Sequence, residues 1–193
     1  RFPSARMNYQ NILCVGDSQT FGARTYGCYP LHLARLLTAR STYAWRAVNL
    51  SANGATARDL WFRSHHDLET VTDTRQACVL IGTNDAGEGV DAELFTEYYR
   101  QILRAFFIKK YKAVWCGEIP PIHADGHVYF ARESVARRGV LNDRIRSLVA
   151  EFPEARFVAL PGLDRDCYVD PVHFNERGNE HVAECFAQEI LRR

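Results

Sequence analysis

No apolar stretch in this chain approaches the length of a membrane span. Its longest runs, such as Ala77 to Ile81, fall far short of the roughly 20 residues that a transmembrane helix needs, so no membrane-spanning helix is expected. An excess of one charge sign is lacking as well. Against 24 basic side chains stand 23 acidic ones, a net charge of +1, with no long run of either sign, so nothing points to nucleic acid or an anionic membrane as partner. There is no Cys-x-x-Cys pair, which argues against a structural zinc site or a thioredoxin-type motif. Repeats, low-complexity tracts and linker-like segments are also missing, and residues 7–193 are read as one domain long enough to bury a real core. Methionine is nearly absent, Met7 being the only one. Residues 1–6 before it lack the apolar core of a signal peptide and are expected to be a cloning remnant or a disordered extension.

What is present is an ordinary globular composition, 47% hydrophobic and 24% charged. Of the six cysteines, Cys14, Cys78 and Cys116 fall inside short apolar runs, where a thiol behaves as a small hydrophobe. Cys28, Cys167 and Cys185 fall outside such runs, and a single bridge among them is left open. Reduced thiols favour a cytoplasmic protein; a secreted or periplasmic one stays open if a leader has been removed.

Five apolar runs alternate with longer segments of helical spacing. The runs are Asn11 to Val15, Ala47 to Leu50, Ala77 to Ile81, Ala113 to Cys116 and Arg156 to Leu160. They are continuous rather than alternating, as strands covered on both faces are. Helical spacing marks Tyr29 to Leu37, Ala57 to His66, Leu94 to Lys109, Val135 to Phe152 and Glu176 to Leu191, the last with Asn175 as N-cap. This alternation predicts an α/β fold with a five-stranded parallel sheet between two helical layers. In such a sheet ligands bind beyond the carboxyl ends of the strands, where strand order reverses. The loops expected there are Gly16 to Thr20, Ser51 to Gly54, Gly82 to Asp85 and Gly117 to Pro121.

Ser18 follows the first strand in Gly16-Asp17-Ser18, where the chain enters a helical turn whose N–H groups can stabilise developing negative charge. Taken alone, this triplet is equally a serine N-cap. A phosphate loop is excluded by the missing Gly-Lys-Ser/Thr, and a dinucleotide fingerprint by the glycine spacing. A serine nucleophile needs a base and a group to orient that base. Asp170-Pro171-Val172-His173, after the fifth strand, offers both on the edge where Ser18 lies, although Asp-x-x-His in isolation is commonly a surface pair. Gly54 could present its N–H and Asn84 its side-chain amide to an oxyanion; each alone reads as a turn or cap residue. Asp17 and Asp85 are read as loop-bracing acceptors, His65, His66 and His181 as surface or structural, and Tyr98, Tyr99, Phe106 and Phe107 as core. No metal or organic cofactor is needed.

Together these blocks resemble the SGNH hydrolases, also called the GDSL esterase/lipase family. Gly16-Asp17-Ser18 matches the first block, with Gln19 where the family name has leucine. Asn53-Gly54, Gly82-Thr83-Asn84-Asp85 and Asp170-x-x-His173 match the other three in order. The resemblance implies a three-layer α/β/α sandwich with flavodoxin-like strand order 2-1-3-4-5. It also implies a catalytic triad of Ser18, Asp170 and His173, with an oxyanion hole from the Ser18 and Gly54 N–H groups and the Asn84 amide. The implied reaction is hydrolysis of carboxylic esters through an acyl-serine. An acyltransferase on the same site and a catalytically silent ligand-binding module are the alternatives.

Specificity is expected from the loops around Ser18. The longest, Pro120 to Phe130, carries Ile122, His123, His127, Tyr129 and Phe130. Tyr129 and Phe130 are the candidate substrate-binding residues there, with Tyr26 and Trp61 as further candidates. Without a lid-sized insertion, short-chain acyl esters, acetylated sugars among them, are expected over long triglycerides. The substrate is thus expected to be a small-molecule or saccharide ester, with thioesters and lysophospholipids left open by the resemblance, and the sequence leaves the oligomeric state open.

Overall fold

The structure, a computed structural model, describes residues 8–71, 73–124 and 130–192. Five strands, β1 (Tyr9–Gly16), β2 (Ala44–Asn49), β3 (Gln76–Leu80), β4 (Ala113–Gly117) and β5 (Ala155–Val158), form one sheet. All neighbours are parallel, as the alternation of runs predicts, and the spatial order is β2-β1-β3-β4-β5, as the family resemblance implies. The helices are α1 (Ser18–Phe21), α2 (Tyr29–Arg40), α3 (Ala57–Thr70), α4 (Thr83–Glu88), α5 (Ala92–Ile108), α6 (Arg132–Val149) and α7 (Glu176–Leu191), with a 3-10 turn at Arg165–Cys167.

Because strand side chains alternate between faces, a buried parallel strand needs apolar residues at every position. In β1, Leu13 and Val15 join one core with residues from α3, α5 and α6, including Leu60, Tyr99, Phe106 and Ile145. Ile12 and Cys14 join the other, built on Tyr29, Leu33 and Leu37 of α2 and Val182, Phe186 and Ile190 of α7. The ring of Tyr29 stacks on Phe186 at 5.2 Å, fixing α2 against α7. Each such apolar side chain removed from water contributes about 1.5–3 kcal/mol, so the two cores together hold the three layers. All six cysteines are unpaired thiols; burial pushes Cys78 well above the ordinary thiol range and Cys116 up to about 12, which makes these two inert. No helix among the described residues is long and apolar enough to cross a membrane.

The structure corrects several boundaries. Thr83 to Asp85, read in the sequence as loop, opens the helix α4 (Thr83–Glu88); at six residues it is too short to show a helical period. β2 starts three residues earlier than its apolar run, at Ala44, because an edge strand pairs on one side only and needs no continuous apolar sequence. Helices α2 and α3 run on to Arg40 and Thr70, past the last periodic apolar residue. At its start α3 is fixed by a reciprocal cap in which Asp59 Oδ2 accepts from the Thr56 N–H at 2.9 Å and Thr56 Oγ1 accepts from the Asp59 N–H at 3.4 Å. Strand order reverses between β1 and β3, which places the loops after those two strands at the ligand crevice of the fold.

Candidate active site

Ser18 is the first residue of α1, directly beyond the carboxyl end of β1. Asp17 caps this turn by accepting from the Gln19 N–H at 3.0 Å, and Gly22 closes it at φ +86. The segment after the 3-10 turn brings His173 to it: Ser18 Oγ lies 3.0 Å from His173 Nε2, and His173 Nδ1 lies 2.7 Å from Asp170 Oδ2. A carboxylate can only accept, so Nδ1 carries the proton and Nε2 is left to accept from the serine hydroxyl. Asp170 Oδ1 accepts from the Val172 and His173 N–H groups at 3.0 and 2.8 Å. Burial works against the Asp170 charge, but these two N–H groups and the His173 ring outweigh it and hold the carboxyl below its ordinary range. Asp170 therefore stays ionised beside the imidazole.

Gly54 sits in the turn after β2 at φ +74, a left-handed conformation that favours glycine. That turn is docked on the end of β1, where the Ala52 N–H donates to the Gly16 carbonyl at 3.1 Å. From the first turn of α4, Asn84 Nδ2 donates to the Ala55 carbonyl at 2.9 Å. Its neighbour Asp85 accepts from the Ala57 N–H at 3.0 and 3.2 Å. The loops after β2 and β3 are thereby tied together, and Ser18, Gly54, Asn84 and His173 line one cleft of about 560 Å³.

Asp17 and Asp85 are buried beneath this cleft. Burial pushes each carboxyl up to about 7, the nearby Asp85 charge adding for Asp17; the Gln19 and Ala57 N–H groups offset part of the effect. Gln19, where the family name has leucine, has a distinct place. Its Nε2 donates to the Val172 carbonyl at 2.7 Å and its Oε1 accepts from the Thr83 hydroxyl at 3.1 Å. One buried amide thus joins the residue before His173 to the residue before Asn84.

The expected substrate-binding residues divide. Phe130 lines the cleft, whereas Tyr129 lies outside the described residues, as does His127. Tyr26 is fully exposed and does not line the cleft. Trp61 turns away to pack on the core, its ring 5.5 Å from that of Tyr98 on α5, because it lies on the inward face of the amphipathic α3. Ile122 is buried in the core. His123 braces the His173 segment from below: its N–H donates to the Pro171 carbonyl at 2.9 Å and its ring packs edge-on against Tyr168. His65 and His66 are exposed, and His181 Nε2 contacts the Pro161 carbonyl at 2.5 Å. Phe21, Arg24, Thr25 and Val172 also line the cleft; the sequence carries no local signal for them.

Two other features are remote from this chemistry. A more apolar groove of about 680 Å³ runs between α2 and β2, past Leu31, Ala34 and Trp45, and holds none of the groups above. His32, Glu176 and Glu180 place donor atoms within 4.8 Å of one another, the one such cluster among the described residues. Both glutamates are exposed and neither lines the Ser18 cleft.

Known proteins share this fold. The chain superposes on a lipase/acylhydrolase from Enterococcus faecalis with a TM-score of 0.79 at 18% identity, covering 94% of this chain and 95% of that one. A GDSL-like lipase from Bacteroides thetaiotaomicron gives 0.73 at 15% identity, covering 95% and 88%. A lipase from a goat rumen metagenome gives 0.75 at 13% identity, covering 93% and 96%. These likenesses establish the fold. No curated protein sequence matches the chain significantly. The sequence profile of the GDSL-like lipase/acylhydrolase family matches residues 14–181, a stretch that holds all four blocks, and the chain belongs to that family.

Proposed function

We propose that the protein is a serine esterase that cleaves short-chain acyl esters, acetyl esters among them, through an acyl-serine intermediate. The observation that carries this reading is the continuous relay from Asp170 Oδ2 to His173 at 2.7 Å and from His173 to Ser18 Oγ at 3.0 Å. In the first half-reaction Ser18 Oγ attacks the ester carbonyl carbon as His173 Nε2 takes the hydroxyl proton. Asp170, kept ionised by its two backbone N–H donors, stabilises the imidazolium that results. The negative charge then on the carbonyl oxygen is met by the Ser18 and Gly54 N–H groups and the Asn84 amide. These donors are fixed before reaction by the links among the loops after β1, β2 and β3, so little reorganisation is needed. Collapse of the tetrahedral adduct breaks the bond to the alcohol oxygen, which leaves with the proton from His173. Water then attacks the acyl-serine with the roles reversed, releasing the carboxylic acid and restoring Ser18. The absence of a lid-sized insertion in the sequence supports small acyl groups.

The test is hydrolysis of p-nitrophenyl acetate, butyrate and octanoate above the buffer blank. Wild type is expected to hydrolyse acetate or butyrate fastest, Ser18→Ala to fall to the blank, and Asn84→Ala to lose about 10²–10³-fold in kcat, as loss of one oxyanion donor does. Equal rates in wild type and Ser18→Ala would remove Ser18 as nucleophile; fastest turnover of octanoate would overturn the short-chain assignment alone.

A further inference from the structure

The cleft beside Ser18 carries a cation that the ester-cleaving mechanism does not use. Arg24 lines it from the segment between α1 and α2. Its backbone is held at φ +63, in the left-handed region that side-chain-bearing residues seldom adopt. Such a conformation persists only where the surroundings enforce it, and it recurs at ligand-contacting sites. Arg24 and His173 are the only ionisable side chains among the described residues lining the cleft, and no carboxylate among those residues lines it.

The guanidinium rests on Asp170, with Nη1 3.0 Å from Oδ2. That is the oxygen which also accepts the hydrogen bond from His173 Nδ1. The Arg24 side chain is 68% exposed, and an ion pair so open to water is weak enough for another anion to displace. A guanidinium holds five N–H donors in a planar fork that matches a second carboxylate edge-on, and the ion pair recorded with Asp170 is made by Nη1. A substrate anion that took over Arg24 would leave Asp170 Oδ2 to the imidazole alone.

We propose that Arg24 is an anchoring site for a carboxylate on the substrate, so that the protein prefers esters bearing a negative charge close to the scissile bond. This rests on the serine esterase reading and names its substrate class. One imidazole ring separates the Asp170 oxygen at Arg24 from Ser18 Oγ, so the anchored carboxylate belongs to a compact molecule. It sits on the acyl or the alcohol portion a few bonds from the ester, not at the end of a long chain. An exposed cation acting over this range also predicts a preference that salt weakens.

Two pairs of esters test the proposal, each differing in one charge: 4-acetoxybenzoate against its methyl ester, and monoethyl succinate against diethyl succinate. For wild type and Arg24→Gln the quantity read is the ratio of kcat/KM, charged over neutral, which cancels any general effect on Asp170. The ratio is expected to fall at least about tenfold in Arg24→Gln for one of the pairs, to be partly kept in Arg24→Lys, and to shrink in wild type as sodium chloride is raised. An unchanged ratio for both pairs overturns the proposal even where the neutral esters are hydrolysed in a Ser18-dependent way. Should no ester be turned over, the esterase reading fails by itself. Calorimetric titration of 4-acetoxybenzoate into Ser18→Ala and into Ser18→Ala/Arg24→Gln then decides the anchor: binding lost with Arg24 upholds it, and equal binding or none in either protein overturns it.

Discussion

Gln19 shows how much of the site's alignment can rest on a residue that takes no part in the reaction. Its amide has one hydrogen bond to the carbonyl before His173 and another to the hydroxyl before Asn84, and the side chain is buried. A leucine there would fill similar space but leave that carbonyl and hydroxyl without this partner, at a cost of about 1–3 kcal/mol for each group so left. The strain falls on the positions of His173 and Asn84 rather than on the cleft wall. Gln19→Leu is therefore expected to lower kcat by roughly tenfold with KM changed less than about threefold, since an interaction felt mainly in the transition state acts on kcat. Gln19→Met, which retains length without the amide, should behave alike, while Gln19→Glu, which can still accept from Thr83, should recover part of the loss. Steady-state kinetics on p-nitrophenyl acetate would decide; wild-type kcat in Gln19→Leu would leave the amide no role in alignment. The sequence gives no local sign of this role, because the partners of Gln19 are 64 and 153 positions away. The Asp170–His173 pair is legible because three positions in a proline-containing loop are enough to bring carboxylate and imidazole together. Arg24, paired with Asp170 across most of the chain, leaves no trace of that kind.

The elements are more legible than the contacts, for a physical reason. A parallel strand buried on both faces must be apolar throughout, and β1, β3 and β4 stand out as such runs; β2 and β5, at the sheet edges, are shifted from theirs. Nothing in composition exposes how closely two strands approach, yet this sets the place of Ser18. β1 and β3 end their pairing at Gly16 and Leu80, and a Cβ on Gly16 would lie 2.1 Å from the Leu80 carbonyl oxygen. Backbone of a central strand cannot retreat from such a contact as a flexible side chain can, so Gly16→Ala should destabilise the protein by ~3 kcal/mol and disturb the turn that begins at Asp17. Gly139 makes the contrast within a helix. It is exposed in α6 and a Cβ there meets nothing within 4 Å, so Gly139→Ala should stabilise by about 0.5–1 kcal/mol through the helix preference of alanine. Urea unfolding of the two variants against wild type checks both signs. A Gly16→Ala protein as stable as wild type would mean that β1 and β3 can separate without loss.

At the scale of the whole molecule the buried carboxyls set the dependence of stability on pH. Asp17 and Asp85 titrate near 7 in the folded protein against an ordinary value of 3.8. Between about pH 4 and pH 7 the folded chain therefore holds protons that the unfolded chain has released. Stability from these groups is full below about pH 4 and is lost as pH rises through about 7. Asn at position 17 can still accept from the Gln19 N–H and cannot ionise. Asp17→Asn is thus expected to gain on wild type as pH increases, by roughly 2–4 kcal/mol between pH 5 and pH 8, a tenfold difference in proton affinity between folded and unfolded chain being worth about 1.4 kcal/mol. Comparing the two proteins as a difference removes the contribution of Asp170, whose depressed titration gives stability of the opposite slope, lost as acid protonates it. Urea unfolding at pH 5, 6.5 and 8 gives the measurement. Parallel curves for the two proteins would mean that Asp17 keeps the same charge folded and unfolded, and that its burial is relieved by more than the Gln19 N–H.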